Sequence, residues 1–254
     1  MNNTLQNGFM ILEYLAANAE ECSVREVAIH FNIPDSHVCR LLKTLSETGY
    51  VEQNPKNRKY RISLKILNLS NMRLKKIKLR NIARPYLQKL VRELGRPVFL
   101  TSSFHGRSLI IATEYPERFN GDAGIVLGLI HSINRSACGK ICAAYASAEE
   151  LDKLLVQCDW SRITRHSVTD PARFREELKA IRACGYARME AELDENTGAV
   201  AAPVFNASRE LAGAVGVVLP GDASLWTAKL WSDFIDAIKT CGESISFALG
   251  CPLD

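Results

Sequence analysis

Several features are missing from this 254-residue sequence, and each gap removes a class of function. No long charge-free apolar run is present that could span a bilayer. The N-terminus MNNTLQNGFMILEYLAANAEE has neither the basic start nor the small-residue cleavage site of a signal peptide. Together these gaps predict a cytoplasmic protein that needs no membrane. The eight Cys form no Cys-x-x-Cys pair and show no Cys/His spacing of a zinc finger, so they read as reduced, mostly buried thiols. Cys138 and Cys142 share a helix face at i, i+4, but a metal would need two more ligands to which nothing points. Catalytic signatures are lacking too. His105, His131 and His166 stand in no Gly-x-Ser-x-Gly or His-Glu-x-x-His context, and Lys140 after Gly139 lacks the other residues of a phosphate-binding loop. The expectation is a non-enzyme with no catalytic residue, no cofactor and no metal. Internal repeats and low-complexity segments are also absent.

What is present is ample apolar content, 47%, in a chain longer than one usual domain, so two domains are expected. The charge is unevenly spread. Residues 1–80 carry 13 Lys or Arg against 7 Asp or Glu, a net of +6, while residues 81–254 carry 19 against 21, a net of −2. A basic small domain joined to a near-neutral larger one fits an electrostatic footprint for phosphates.

The basic region has a helical frame. Phe9, Ile11, Leu12 and Leu15 predict a first helix over residues 5–18. Ser23 followed by Glu26 is a capping box, which predicts a short second helix over 24–31. Asn32-Ile33-Pro34 breaks the chain, and a third helix runs from about Pro34 or Asp35 to Thr48 and stops at Gly49. Val38, Leu41, Leu42 and Leu45 make its buried stripe, while Ser36, His37, Cys39, Arg40 and Lys43 project elsewhere. Short helix, tight turn and longer helix make a helix-turn-helix. Two short strands, YVEQ and KYRI, flank the turn NPKNR and place Lys56, Arg58, Lys59 and Arg61 on the tip and outer face of a hairpin. A basic hairpin directly after a recognition helix is a wing, whose cations would lie along the duplex backbone while the helix enters the major groove.

From Ser63 the chain reads as a connector helix, and RPYLQKLVRELG continues or restarts a helix at Pro85 and ends it at Gly95. Two strand-like runs follow around His105-Gly106-Arg107, then a Gly-containing segment to His131. Helices are expected near 137–146, 148–157 and 171–184. Two strands, GAVAAPVFN and AGAVGVVLP, come next, and a closing amphipathic helix spans about 223–249. The body is therefore α/β or α+β with a mainly antiparallel sheet. The predicted domains are a winged helix-turn-helix at 1–63, a linker helix at 64–80 and a larger domain at 81–254.

These pieces resemble the IclR-type bacterial transcriptional regulators over nearly the whole chain. The resemblance rests on SHVCRLLKTLSETGYVEQ followed by YRISLKILNL, on LRNIARPYLQKLVRELG, on SACGKICAA, and on LKAIRACGYA followed by AVAAP, in that order. It implies a C-terminal effector-binding domain related to GAF and PAS-like folds, and dimers or tetramers bound to palindromic double-stranded operators. It also implies a small organic acid as effector. The family's effector site maps to the loop before the Gly-Lys pair, the turn after the Gly-Tyr pair, and the last two strands. In this chain that means Ser136, Ala137 and Cys138, then Met189, Ala199, Gly216 and Val218. Members that take small carboxylates tend to carry an acid, a Cys and two Ser where Met189, Ala199, Gly216 and Val218 stand here. Gly198 and Asn196 also depart from the usual turn. A pocket with fewer polar anchors favours a bulkier, partly apolar or aromatic acid. Arg135, where the family more often has Ala, is the candidate to hold its carboxylate.

Two other functions compete: a winged helix that binds protein, and a small-molecule-processing enzyme with a DNA-like basic domain. The first would not need cations on both helix and wing, so salt-dependent binding to DNA separates it, and the second lacks the catalytic signatures named above.

Overall fold

A computed structural model describes residues 2–119, 124–219 and 221–252. The chain divides into two compact units, residues 1–76 and 77–254.

The first unit holds helices α1 (Asn3–Ala17), α2 (Val24–Phe31) and α3 (Asp35–Glu47), then the hairpin β1 (Val51–Gln53) and β2 (Tyr60–Ile62), then α4 (Lys65–Leu74). The capping box is present: the Glu26 amide donates to Ser23 Oγ at 3.2 Å and the Ser23 amide donates to the Glu26 carboxylate. Asn32 takes the left-handed conformation that ends α2, and Gly49 does the same after α3 with φ 78°. Ile11, Leu15, Val27, Val38, Leu42, Val51 and Tyr60 close one apolar core. Burial of that stripe, at about 1.5–3 kcal/mol for each large side chain, fixes which face of α3 is left outward.

The second unit begins with α5 (Lys78–Leu94), so the expected linker 64–80 is split between the units and is two helices rather than one. Ile77, in an extended conformation, makes the break. Pro85 neither starts nor ends α5 but lies inside it. A proline inside a helix costs about 3 kcal/mol or more. The stripe Leu79, Ala83, Leu87, Leu90 and Val91 is buried on both sides of it, and that burial outweighs the cost.

Strands β3 (Val98–Phe104), β4 (Arg107–Glu114) and β5 (Ile130–His131) precede helices α6 (Ala137–Ala144), α7 (Ala148–Val156) and α8 (Pro171–Cys184). Strands β6 (Ala187–Glu190), β7 (Gly198–Phe205) and β8 (Leu211–Val218) follow, then a 3-10 turn (Ala223–Leu225) and α9 (Ala228–Ala248). The strands form one antiparallel sheet in the order β5-β4-β3-β8-β7-β6. Helices cover both faces. Val215 packs toward Gly242 of α9, whereas its neighbour Gly216 packs toward Cys138 of α6, as the period-two alternation of a strand requires. Strands β5 and β6 were not expected. Each is a short edge strand, and β6, ARME, carries two charges.

The thiols are less uniformly hidden than their surroundings in the sequence suggest. Cys22, Cys138, Cys142 and Cys241 are buried, Cys158 and Cys251 half-buried, and Cys39 and Cys184 exposed, all free. Burial pushes the Cys142 and Cys241 thiols up to about 12 and Cys138 higher still. Among the described residues no cluster of three His, Cys, Asp or Glu could hold a metal.

Candidate functional site

In the first unit the outward face of α3 presents Ser36, Cys39, Arg40 and Lys43 exposed, with His37 half-buried beside Asn7. Arg40 Nη2 lies 3.1 Å from His37 Nδ1, which draws these two side chains together. Lys43 has only a loose partner, Glu47 at 3.9 Å. The hairpin tip is built by Asn54 and Asn57, whose side chains donate to the Glu21 carboxylate at 2.8 Å and hold it below its usual range. Arg58 sits there with φ 61°. The four wing cations fall into two kinds. Lys59 pairs with Glu26 at 3.5 Å, and Arg61 pairs with Glu52 at 3.0 Å and Glu21 at 3.8 Å. Lys56 and Arg58 are exposed at the tip and, among the described residues, have no carboxylate partner.

In the second unit strand register creates a concave site. Met189 of β6 pairs with Ala199 of β7, which pairs with Val218 of β8, so the three form one row on one sheet face. Gly216, in register with Phe99 of β3, belongs to the next row. The N-terminus of α6 meets this face, with Ser136 as its cap accepting from the Gly139 amide at 3.0 Å. Gly139 has no room for a side chain, because a methyl there would collide with the Ser132 carbonyl. The result is a cavity of about 600 Å³.

Six of the eight expected positions line that cavity: Arg135, Ser136, Ala137, Met189, Ala199 and Val218. Cys138 and Gly216 do not. They lie behind it, where Gly216 leaves space for the Phe99 ring, itself part of the wall. The rest of the wall was not foreseen: Phe119, Ile125, Leu129, Ile130, Leu193 and Leu219 add apolar surface, and Arg96, His131, Asn196 and Thr197 add polar groups. Arg96, the one cation between the end of α5 and β3, and the alternation that turns Phe99 inward were the available signals.

Arg135 is not the free anchor that was expected. Its Nη1 donates to Asp159 Oδ2 at 2.9 Å and its Nη2 to the Ser161 carbonyl at 2.7 Å. Asp159, held down to about 2 chiefly by the Ser161 backbone amide, stays ionised and neutralises the guanidinium. Asn134, fully buried, ties the same loop by donating to the Asp159 carbonyl at 3.0 Å. Arg96 differs. Its guanidinium donates to the carbonyls of Val218 and Leu219, at 3.4 and 2.9 Å, and lies over the Phe119 ring. Burial holds His131 below its ordinary value, so the imidazole is neutral at pH 7, with its ring edge on Phe99.

Behind the cavity, Lys140 is wholly buried. Its ammonium donates to Glu177 and Glu192, each at 2.6 Å, and to the Arg188 carbonyl at 3.2 Å. Thr164 and Ser167 donate to the carbonyls of Ala191 and Glu192. Together they brace the turn from Met189 to Thr197, in which Ala191 has φ 55°.

Family models match at both ends: an IclR helix-turn-helix domain over residues 4–55 and a bacterial transcriptional regulator IclR C-terminal domain over residues 71–247. The chain belongs to the IclR family. It is a DNA-binding transcriptional regulator with an effector-binding domain. The glycerol operon regulatory protein of Streptomyces griseus is 26% identical, covering 97% of this chain and 96% of its own. The crystal structure of the Thermotoga maritima IclR matches with a TM-score of 0.73 at 26% identity, covering 98% of this chain and 100% of its own. An IclR homolog from Microbacterium hydrocarbonoxydans, complexed with 4-hydroxybenzoate, shares the fold with a TM-score of 0.77 at 17% identity, covering 97% and 98%. Among the described residues no helix is long and apolar enough to cross a membrane.

Proposed function

We propose that this IclR-family regulator binds an inverted-repeat operator as a symmetric dimer, or as a tetramer of two such dimers, and that its cavity senses an organic acid with an aromatic or partly apolar body. The observation that carries the effector reading is the cavity wall. It is mostly apolar, carries two guanidinium groups and, among the described residues, has no carboxylate. Pockets of this size take small molecules chiefly through apolar contact, with a few polar groups fixing orientation. A two-carbon acid would leave Phe99, Ile125, Met189, Leu193 and Val218 uncovered. The fold has room for such ligands, since the Microbacterium homolog holds 4-hydroxybenzoate.

Dimerisation is supported by α4, where Leu64, Leu67, Leu69 and Met72 are exposed at the helix or its cap and no residue is buried. One recognition helix spans only a few base pairs, and two-fold protein symmetry selects paired half-sites. Ser36, His37, Cys39, Arg40 and Lys43 then read the groove, while Lys56, Arg58, Lys59 and Arg61 meet the backbone. This work belongs in the cytoplasm, with the chromosome. Selection of bound duplexes from a random pool, followed by acid-induced release, tests the whole reading. Inverted repeats released by aromatic or branched acids support it. A single asymmetric half-site, or release by two-carbon acids alone, contradicts it.

A further inference from the structure

We propose that Arg96 is the residue that receives the anionic end of the effector, and that Arg135 is a latch that holds the 159–161 loop. This rests on the cavity being the effector site.

Three groups in the wall could face an acid by charge. His131 is neutral at pH 7 because burial disfavours its cation. Arg135 is neutralised by Asp159 at 2.9 Å and spends its other terminal nitrogen on Ser161. Its Nε is buried without a partner, while both terminal nitrogens are engaged by the 159–161 loop. Arg96 is the third, and its partners are two carbonyls and the Phe119 ring. Among the described residues no carboxylate pairs with it. Carbonyls and a ring face orient a guanidinium without cancelling its charge. A guanidinium has five N–H donors, and two of these five go to the strand end, so a carboxylate can still be held by Nη1 and the second Nη2 hydrogen.

The same arrangement restricts the ligand. Its carboxylate lies at the Val218–Leu219 end of the cavity, beside the Met189–Ala199–Val218 row. Its body must then run along apolar side chains toward Phe99 and the α6 cap. The class is a monocarboxylate with a planar or branched apolar body. A dicarboxylate would set its second charge against apolar wall.

Calorimetry on the full-length protein with benzoate and hexanoate, each beside its neutral amide, decides the matter. The wild type binds the acids in preference to the amides. Arg96→Gln weakens the acids by about tenfold or more, the value of a lost charged hydrogen bond, and leaves the amides within about twofold. Arg96→Lys restores most of the acid preference, which a purely structural role at the end of β8 would not do. Arg135→Gln, which unlatches the loop, moves acid and amide together. If Arg96→Gln keeps the acid preference, or loses acid and amide equally, Arg96 is not the anchor although the cavity still binds acids. If neither acid binds the wild type at millimolar concentration, the effector reading fails and the Arg96 assignment falls with it.

Discussion

Gly216 of β8 and Phe99 of β3 are paired across the sheet so closely that a methyl group on Gly216 would lie 2.5 Å from the Phe99 ring and 3.0 Å from Cys138 Sγ. Cys138 is fixed in α6, so the ring is the part that can yield, and it yields toward the cavity it lines. Gly216→Ala should therefore cost about 1–3 kcal/mol of stability through overpacking. It should also weaken a large acid more than a small one. Thermal unfolding and calorimetry with benzoate and acetate check both effects. Equal weakening of the two acids would place Phe99 outside the ligand's reach.

In the wing, Lys56 and Arg58 have no carboxylate partner among the described residues, whereas Lys59 and Arg61 are already paired with Glu26, Glu21 and Glu52. A cation that must first leave a carboxylate releases fewer counterions from DNA on balance. The double variant Lys56→Ala, Arg58→Ala should flatten the log–log salt dependence of operator binding by roughly two units per protomer. Lys59→Ala with Arg61→Ala should flatten it less. Arg40→Ala should instead cost about 1–3 kcal/mol at the operator while changing binding to random duplex little. Filter binding over a salt series separates these outcomes.

That division among the wing cations was not legible in the sequence. Strand alternation places Lys59 and Arg61 on the outer face of the hairpin, as observed, but Glu21 reaches the wing across more than thirty residues through Asn54 and Asn57. The same limit explains the cavity. Local patterns carry helix ends well: the Ser23–Glu26 box, Gly49 after α3, and Asp170 with Pro171 opening α8 are all decided by neighbours. The partner that neutralises Arg135 is Asp159, set by tertiary packing of a loop with no periodic signal. Met189, Ala199 and Val218 could be named through the family resemblance, yet that they form one row follows only from register, and β6 is too short and charged to announce itself.

Lys140 makes the second unit sensitive to one charge. Lys140→Met leaves Glu177 and Glu192 facing each other without a cation, and breaking such a buried set costs about 3–5 kcal/mol. Glu192 is already raised above its ordinary value, first by burial and also by Glu177. A raised folded-state value means the native protein binds this proton more tightly than the unfolded chain. That contribution is present in full below the unfolded value of about 4.3, and it is lost as pH climbs through the raised one. Without Lys140, whose charge lowers it, the value rises further, so Lys140→Met should lose stability more steeply than the wild type as pH climbs above the unfolded carboxylate value. Adding Glu192→Gln should remove most of that slope. Urea midpoints across the range measure it, and a flat profile in Lys140→Met would mean that Glu192 reaches solvent.

Val218 offers a direct test of what the cavity wall prefers. Its side chain stands in a row with Met189 and Ala199, all apolar, at the strand end whose carbonyl Arg96 holds. Val218→Ser removes two methyl groups and supplies a hydroxyl. A large acid loses apolar contact, at about 0.8 kcal/mol for each buried carbon. A small acid can gain a hydrogen bond of about 1 kcal/mol. The two changes act in opposite directions on the two ligands. The affinity ratio of benzoate to glyoxylate should therefore fall by between about tenfold and a hundredfold, the upper end being the full sum of about 2.6 kcal/mol. Arg96 is unchanged in this variant, so the preference of benzoate over benzamide should persist. A ratio that stays at the wild-type value would show that the ligand does not touch the 218 side chain, and would move the site away from the last two strands.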